Sequence, residues 1–274
     1  MVTNALGGVV GADAISGRQF VRHVDSAVAG LGGRVEWHSG HWVAEISLGP
    51  VRRFVIGYAF PLNNVASAKV ADDKVATSVV LGRAGVERVE HHLLRPGWGG
   101  SPEVDWLREL PVVVKPNVGS AGRGVHRART LDELDKALAE LVPDYPALAW
   151  SPFLDVTDEY RTVFLDGEML LAFRKVRTNP DEWRHNLHHG AVPVVCTDQS
   201  EVDRLAALGR GAMAALGLRF ATVDIVGTPG GDRVLEVNSG VCLERFGKHS
   251  PDGERRAREV YARAVAASLA STEG

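Results

Sequence analysis

Three groups of residues in this chain have the types and spacing for chemistry on phosphate and carboxylate groups. The first is Lys115-Pro116-Asn117-Val118-Gly119-Ser120-Ala121-Gly122-Arg123-Gly124-Val125. An apolar run, Val112-Val113-Val114, delivers the lysine. The glycines that follow let backbone N–H groups approach phosphate oxygens closely. The ammonium adds a point charge for the same anion. Because the lysine precedes the glycines, the pattern is neither a P-loop nor a dinucleotide fingerprint. On its own it is also compatible with an ordinary glycine turn.

The second group is Asp224, Glu236 and Asn238. Strand alternation puts Glu236 and Asn238 on one face. If the turn TPGGD at 228–232 closes a hairpin centred on Gly230, Asp224 lies directly opposite Glu236. Facing like charges are unfavourable unless a cation lies between them. Two carboxylates and an amide oxygen are hard ligands suited to Mg²⁺. A solvated charged face is the plainer alternative, and Val223, Ile225, Leu235 and Val237 weaken it by placing an apolar face opposite.

The third group is the stretch 184–191, RHNLHHGA, preceded by Arg174-Lys175 and Arg177. Adjacent histidines with no cysteine nearby make a poor zinc site. Arginine donors with an asparagine amide suit phosphate or carboxylate oxygens better, and a basic surface loop is the alternative. Glu159-Tyr160-Arg161 places Arg161 on the face opposite Tyr160, where it binds an anion or pairs with Glu159 or Asp158.

The elements that position these groups are mixed. Residues 14–31 predict an amphipathic helix, with Phe20, Val21, Val24 and Val28 at helical spacing. Strands at 33–38, 42–48 and 53–58 predict a meander. A helix is expected over 72–84, beginning at Asp72-Asp73, then a strand and the loop RPGWGGSPE at 95–103. A helix at 130–142 opens with a capping box, Thr130 to Glu133. Strands 159–166 and 168–175 meet at Asp166-Gly167, a hairpin signal. A helix at 200–216, strands at 219–226 and 233–238, and a helix at 252–269 follow. The fold class is α+β (mixed α/β) with several antiparallel hairpins, and it lacks the regular alternation of a doubly wound fold.

Composition sets outer bounds. The chain has 274 residues, 45% hydrophobic and 24% charged, with a net charge of −3. Disorder as the main state is excluded, and a global basic field for nucleic acid is absent. No apolar run is long enough to span a membrane, no basic leader opens the chain, and Cys196 and Cys242 make no disulfide framework. A soluble cytoplasmic protein is expected. Only six of the 31 basic residues are lysines, so a lysine retained in a motif carries some information.

Taken in order, ADDK at 71–74, VVVKPNVGSAGRGV at 112–125, EYR at 159–161, RHNLHHGA at 184–191 and VDIVGTPGGDRVLEVN at 223–238 resemble the ATP-grasp superfamily. The resemblance is strongest to the branch of ribosomal-protein glutamate ligases and amino-group-carrier ligases, and it covers residues 63–245. It implies two α+β subdomains holding ATP between antiparallel sheets: 69–150 with the glycine-rich flap, and 151–274 with the metal site, preceded by a reduced N-terminal region over 1–68. The family's N-terminal α/β domain is longer than this.

By the same resemblance Lys74 and Lys115 hold the nucleotide phosphates. Gly119, Ser120, Gly122 and Gly124 belong to the flap. Asp224, Glu236 and Asn238 bind Mg²⁺, with Mn²⁺ as the alternative. Lys175 belongs to the nucleotide set. Arg184 and Asn186 lie near the γ-phosphate, and Arg161 matches an arginine that binds substrate carboxylate. Adenine would lie against the link 149–154. The usual acidic or Gln residue is missing there, which leaves backbone groups near Phe153 for the base and Asp155 for the ribose. The implied activity is carboxylate–amine ligation through an acyl phosphate. The partners are a small-molecule or peptide carboxylate and an amine, with no nucleic acid or membrane, and the oligomeric state is open. A phosphotransferase and a nucleotide-binding module without turnover are the alternatives.

Overall fold

The computed structural model describes residues 17–95, 105–119 and 122–270. The first turn expected for the N-terminal helix, most of the loop at 95–103, and Ser120 lie outside these residues.

The chain opens with α1 (Gln19–Gly30), whose buried side chains Phe20, Val21, Val24 and Val28 are those set by the helical period. It leads into the predicted meander, β1 (Arg34–His38), β2 (Val43–Leu48) and β3 (Val51–Ile56), all antiparallel. The helix expected over 72–84 is two helices, α2 (Val65–Asp72) and α3 (Lys74–Arg83). Asn64 caps the first, accepting from Ala66 N–H at 2.8 Å. Asp73 has extended backbone and caps the second, accepting from Ala76 N–H at 2.8 Å. The DDK signal is therefore an N-cap, but of a helix that starts one residue after another has ended.

A four-stranded antiparallel sheet runs in the order β4 (His92–Leu94), β7 (Leu148–Pro152), β5 (Val112–Pro116), β6 (His126–Ala128). One face packs on α4 (Leu131–Leu141) through Val112, Val114, Leu134, Leu141, Leu148 and Trp150. Thr130 accepts from Glu133 N–H at 3.2 Å, while Glu133 reaches back to Arg129 N–H at 2.7 Å. The capping box thus closes one residue early.

The larger sheet is antiparallel throughout, in the order β10 (Val192–Val195), β9 (Glu168–Val176), β8 (Asp158–Leu165), β11 (Phe220–Thr228), β12 (Gly231–Asn238). β8 and β9 turn at Asp166-Gly167, both with positive φ, as the hairpin signal requires. One face of this sheet is largely apolar, with Arg174 over the Tyr160 ring near one end. Tyr160, Phe164, Val223, Ile225, Val234 and Val237 pack there against α5 (Gln199–Leu216), α2 and α3. The other face is divided. Its lower half, with Val163, Leu171, Phe173 and Phe220, joins a core with α1, the meander, α6 (Glu244–His249) and α7 (Pro251–Ala270). Its upper half carries the charged residues. The fold is the α+β class expected. Among the described residues no helix is long and apolar enough to cross a membrane.

Candidate active site

Alternation fixes which side chains share the upper half of the divided face: Glu159 and Arg161 on β8, Lys175 on β9, Asp224 on β11, Glu236 and Asn238 on β12. Asp224 opposes Glu236 directly. The route to that register differs from a turn centred on Gly230. Thr228 pairs with Gly231, so the turn is two residues, Pro229-Gly230, and a bulge restores the pairing at Asp224. The bulge takes Leu235 off the buried face and puts Val234 there instead, beside Val237.

Arg161 pairs with neither Glu159 nor Asp158. It faces Asp224 across adjacent strands and grips it with two bonds, Nε to Oδ1 at 2.8 Å and a second nitrogen to Oδ2 at 2.7 Å. Lys175 Nζ adds a bond to Asp224 Oδ2 at 3.0 Å and one to Glu159 Oε1 at 2.5 Å. Burial works to raise the Asp224 pKa, but Arg161 and Lys175 outweigh it and hold the carboxyl below its usual range. Burial opposes the charge on Lys175, yet Asp224 and Glu159 keep its pKa above the ordinary value. Asn238 Nδ2 donates to Glu236 Oε1 at 3.2 Å.

Lys115 reaches this face from the smaller sheet. It is 6% exposed, and burial, with Lys74 adding, pushes its ammonium down to about 8 against the pull of Glu236 and Glu159. Lys74, at the start of α3, donates from Nζ to the carbonyl of Gly119 at 3.0 Å. Asn117, 3% exposed, ties the same corner: its carbonyl accepts from Lys74 N–H at 3.2 Å and its Oδ1 from Val75 N–H at 3.2 Å. The start of the glycine loop is thus anchored to a helix N-terminus, and Asn117 is a functional candidate that motif reading passed over.

The glycine loop docks on the basic loop. Gly122 and Gly124 have φ of +70° and +65°. A Cβ on Gly122 would lie 2.6 Å from Asn186 Nδ2, and one on Gly124 would lie 2.8 Å from Leu141. A cleft of about 540 Å³ opens between the loops, lined by Gly122, Arg123, Arg184, His188 and His189 among others. Arg184 is held by Glu182 through two bonds of 2.9 and 2.8 Å, and those bonds bring the Glu182 carboxyl down to about 2. Asn186 Oδ1 accepts from His188 N–H at 2.7 Å and so shapes the loop. Burial, then Arg245 and Arg161, push His188 down to about 4.

At the link between the sheets, the N–H of Phe153 is spent on the carbonyl of Pro111 at 2.9 Å, which extends the β5–β7 pairing. That group is therefore engaged rather than open to a base. The Phe153 ring meets Trp183 at 5.7 Å, and the Arg127 guanidinium lies 4.9 Å from the first ring and 5.4 Å from the second. Trp183 and Arg127 join the site only in three dimensions. Asp155 is exposed in the following connection.

Among the described residues no group of three or more His, Cys, Asp and Glu side chains is placed to hold a metal ion alone. Glu236 and Asn238 nevertheless present adjacent oxygen donors beside Asp224, whose charge Arg161 and Lys175 currently balance. Such a set fits a hard cation that takes its remaining oxygens from phosphates and water.

A profile of the RimK-like ATP-grasp domain matches residues 71–252. A probable alpha-L-glutamate ligase of Pseudomonas fluorescens (strain SBW25) is 27% identical over 71% of this chain. This chain spans 64% of that relative's length. A probable alpha-L-glutamate ligase of Alkalilimnicola ehrlichii is 27% identical over 77% of this chain and 69% of its own. Among solved structures, the D-alanine–D-alanine ligase of Bacillus anthracis complexed with ATP superposes with a TM-score of 0.59 at 20% identity, covering 76% of this chain and 67% of that one.

Proposed function

The chain belongs to the RimK-like ATP-grasp domain family, and from that premise we propose that it is an ATP-dependent carboxylate–amine ligase. The observation that carries the reading is Lys115. The residue is 6% exposed, its Nζ forms no hydrogen bond or ion pair among the described residues, and it shares its surroundings with a second buried lysine and the Glu236 carboxylate. An ammonium on a largely buried side chain, disfavoured by burial, is steadied when an anion joins it.

In this reading a substrate carboxylate oxygen attacks the γ-phosphorus of ATP. The bond from that phosphorus to the bridging oxygen breaks, and ADP leaves. An amine nitrogen then attacks the acyl carbon, phosphate departs with the old carboxylate oxygen, and the amine gives up a proton. Such chemistry asks the protein mainly for charge balance and positioning. Lys74 and Lys115 hold phosphates. Arg161 and Arg184 balance the charge of the transferring group and of the substrate carboxylate, with Asn186 beside them. Lys175 keeps Asp224 in place. Loop 119–124 shields the acyl phosphate from water. Asp224, Glu236 and Asn238 would hold Mg²⁺ or Mn²⁺, which when bound neutralises phosphate charge. The base would lie near Phe153 and the ribose near Asp155.

The substrates are an amino acid or peptide carboxylate and an amine, and the names of the relatives make glutamate the first to test. The test has two stages. Mg-ADP should raise the melting temperature. ADP should then form steadily only when a pool of amino acids or short peptides supplies both groups, with the product identified by mass. Absence of any stabilisation by Mg-ADP or Mg-ATP would overturn the reading.

A further inference from the structure

Beside Lys115 lies a second buried group whose bonding is incomplete. His91 is 4% exposed, just before β4. The pairings His92 with Trp150, Val114 with Trp150 and Lys115 with Ala149 set the faces of the small sheet. His92 stacks on Trp150 on the α4 side at 4.5 Å. His91 and Lys115 fall on the opposite side.

The His91 backbone N–H donates to Ser78 Oγ at 3.1 Å, and that hydroxyl donates to the Val89 carbonyl at 3.3 Å. The imidazole Nε2 is buried without a partner. In the tautomer with its proton on Nδ1, Nε2 carries a lone pair. Burial, then the charges of Lys115 and Lys74, hold the ring neutral at physiological pH. The face therefore carries an unpartnered imidazole nitrogen and, on the same side of the sheet, an ammonium that makes no hydrogen bond among the described residues.

We propose that His91 is a positioning residue for Lys115: its Nε2 accepts a hydrogen bond from the Lys115 ammonium and holds it toward the bound phosphate. The proposal rests on the reading of Lys115 as a phosphate ligand. The groups that face Lys115 are Glu236 on β12, Glu159 on β8, Lys74 on α3 and His91 itself. Of these only His91 offers a neutral acceptor, which steadies the ammonium without cancelling its charge for the anion.

The probe is Mg-ADP, titrated calorimetrically into the parent protein, Lys115→Met, His91→Leu and His91→Gln from pH 6.5 to 9.5. His91→Leu should weaken binding about tenfold at pH 7, and its affinity should fall away at lower pH than in the parent. His91→Gln, whose amide oxygen can stand where Nε2 was, should restore both. In parent protein carrying ¹⁵N-histidine, Mg-ADP should move the His91 Nε2 resonance, and Lys115→Met should abolish the movement. This second readout serves even where His91→Leu fails to fold. If Lys115→Met loses binding while His91→Leu matches the parent in affinity and pH profile, the role given to His91 is wrong and that of Lys115 stands. An unmoved Nε2 resonance in a parent that binds Mg-ADP overturns the proposal as well. A parent that does not bind Mg-ADP removes both.

Discussion

Arg161 and Asp224 face each other across neighbouring strands and close a two-pronged ion pair at 2.8 and 2.7 Å, with Lys175 on the second oxygen. Asp224 is 1% exposed, so its charge depends on these two cations. Removing one partner of a buried pair leaves an uncompensated charge. Arg161→Ala should therefore lower the unfolding free energy by about 3 kcal/mol in urea titrations. Arg161→Lys should recover only part of it, because an ammonium cannot grip both oxygens. An Arg161→Ala protein as stable as the parent would show that Lys175 alone suffices.

The same pair sets an acid limit. The Asp224 pKa is depressed in the folded chain, so its contribution is complete above the unfolded value of about 3.9 and is lost as pH falls through the folded one. Melting temperature should drop as the pH goes below about 4. Asp224→Asn should start lower at pH 7 and flatten that slope. An unchanged slope in Asp224→Asn would assign acid unfolding to other carboxylates.

Lys115 has the opposite sign. Its folded value, about 8, lies below that of an unfolded lysine. The charged group therefore costs stability below pH 8, and the cost is relieved as pH rises toward about 10.4. Lys115→Met should stabilise the ligand-free protein by about 2 kcal/mol at pH 7 while removing stabilisation by Mg-ADP. The gap between the two melting temperatures should narrow by pH 9.5. A Lys115→Met protein less stable than the parent at pH 7 would contradict the sign.

The glycine loop offers a geometric test. Alanine at 122 meets a left-handed backbone and a neighbour at 2.6 Å, so it should keep the loop off Asn186. We expect Gly122→Ala to cut coupled turnover about tenfold and to raise the ADP formed per amide bond, as water reaches the acyl phosphate. Unchanged coupling would mean that the contact with Asn186 does not seal the site.

Glu236 gives the most direct test of the proposed divalent ion. Glu236→Ala should abolish ATP turnover. Turnover retained at saturating magnesium would place the ion elsewhere.

How the sequence encodes this site depends on the range of each interaction. The facing of Asp224 and Glu236 is legible from alternation, yet turn chemistry alone would slip the pair by one residue. The bulge corrects the slip by burying Val234 and Val237, which a strict two-residue period does not foresee. Asp72-Asp73-Lys74 reads as a helix start. Nothing local shows that α2, with only Ala71 fully buried, runs up to the same aspartate. Arg161 could be assigned a face but not a partner, since that partner lies 63 residues away on a strand whose neighbour is chosen by the whole sheet. Asn117 lies inside the lysine–glycine motif without a role of its own there, and Glu182 and Trp183 carry no motif; contacts in three dimensions make all three part of the site.

The N-terminal helix starts where it does because Glu244 receives the amide hydrogens of Gln19 and Phe20, at 3.2 and 2.9 Å. The lock for the opening segment is therefore cut near the other end of the chain. Anyone exchanging the first sixty residues with those of a cousin must carry the Glu244 turn along, or the transplanted piece will arrive without its latch.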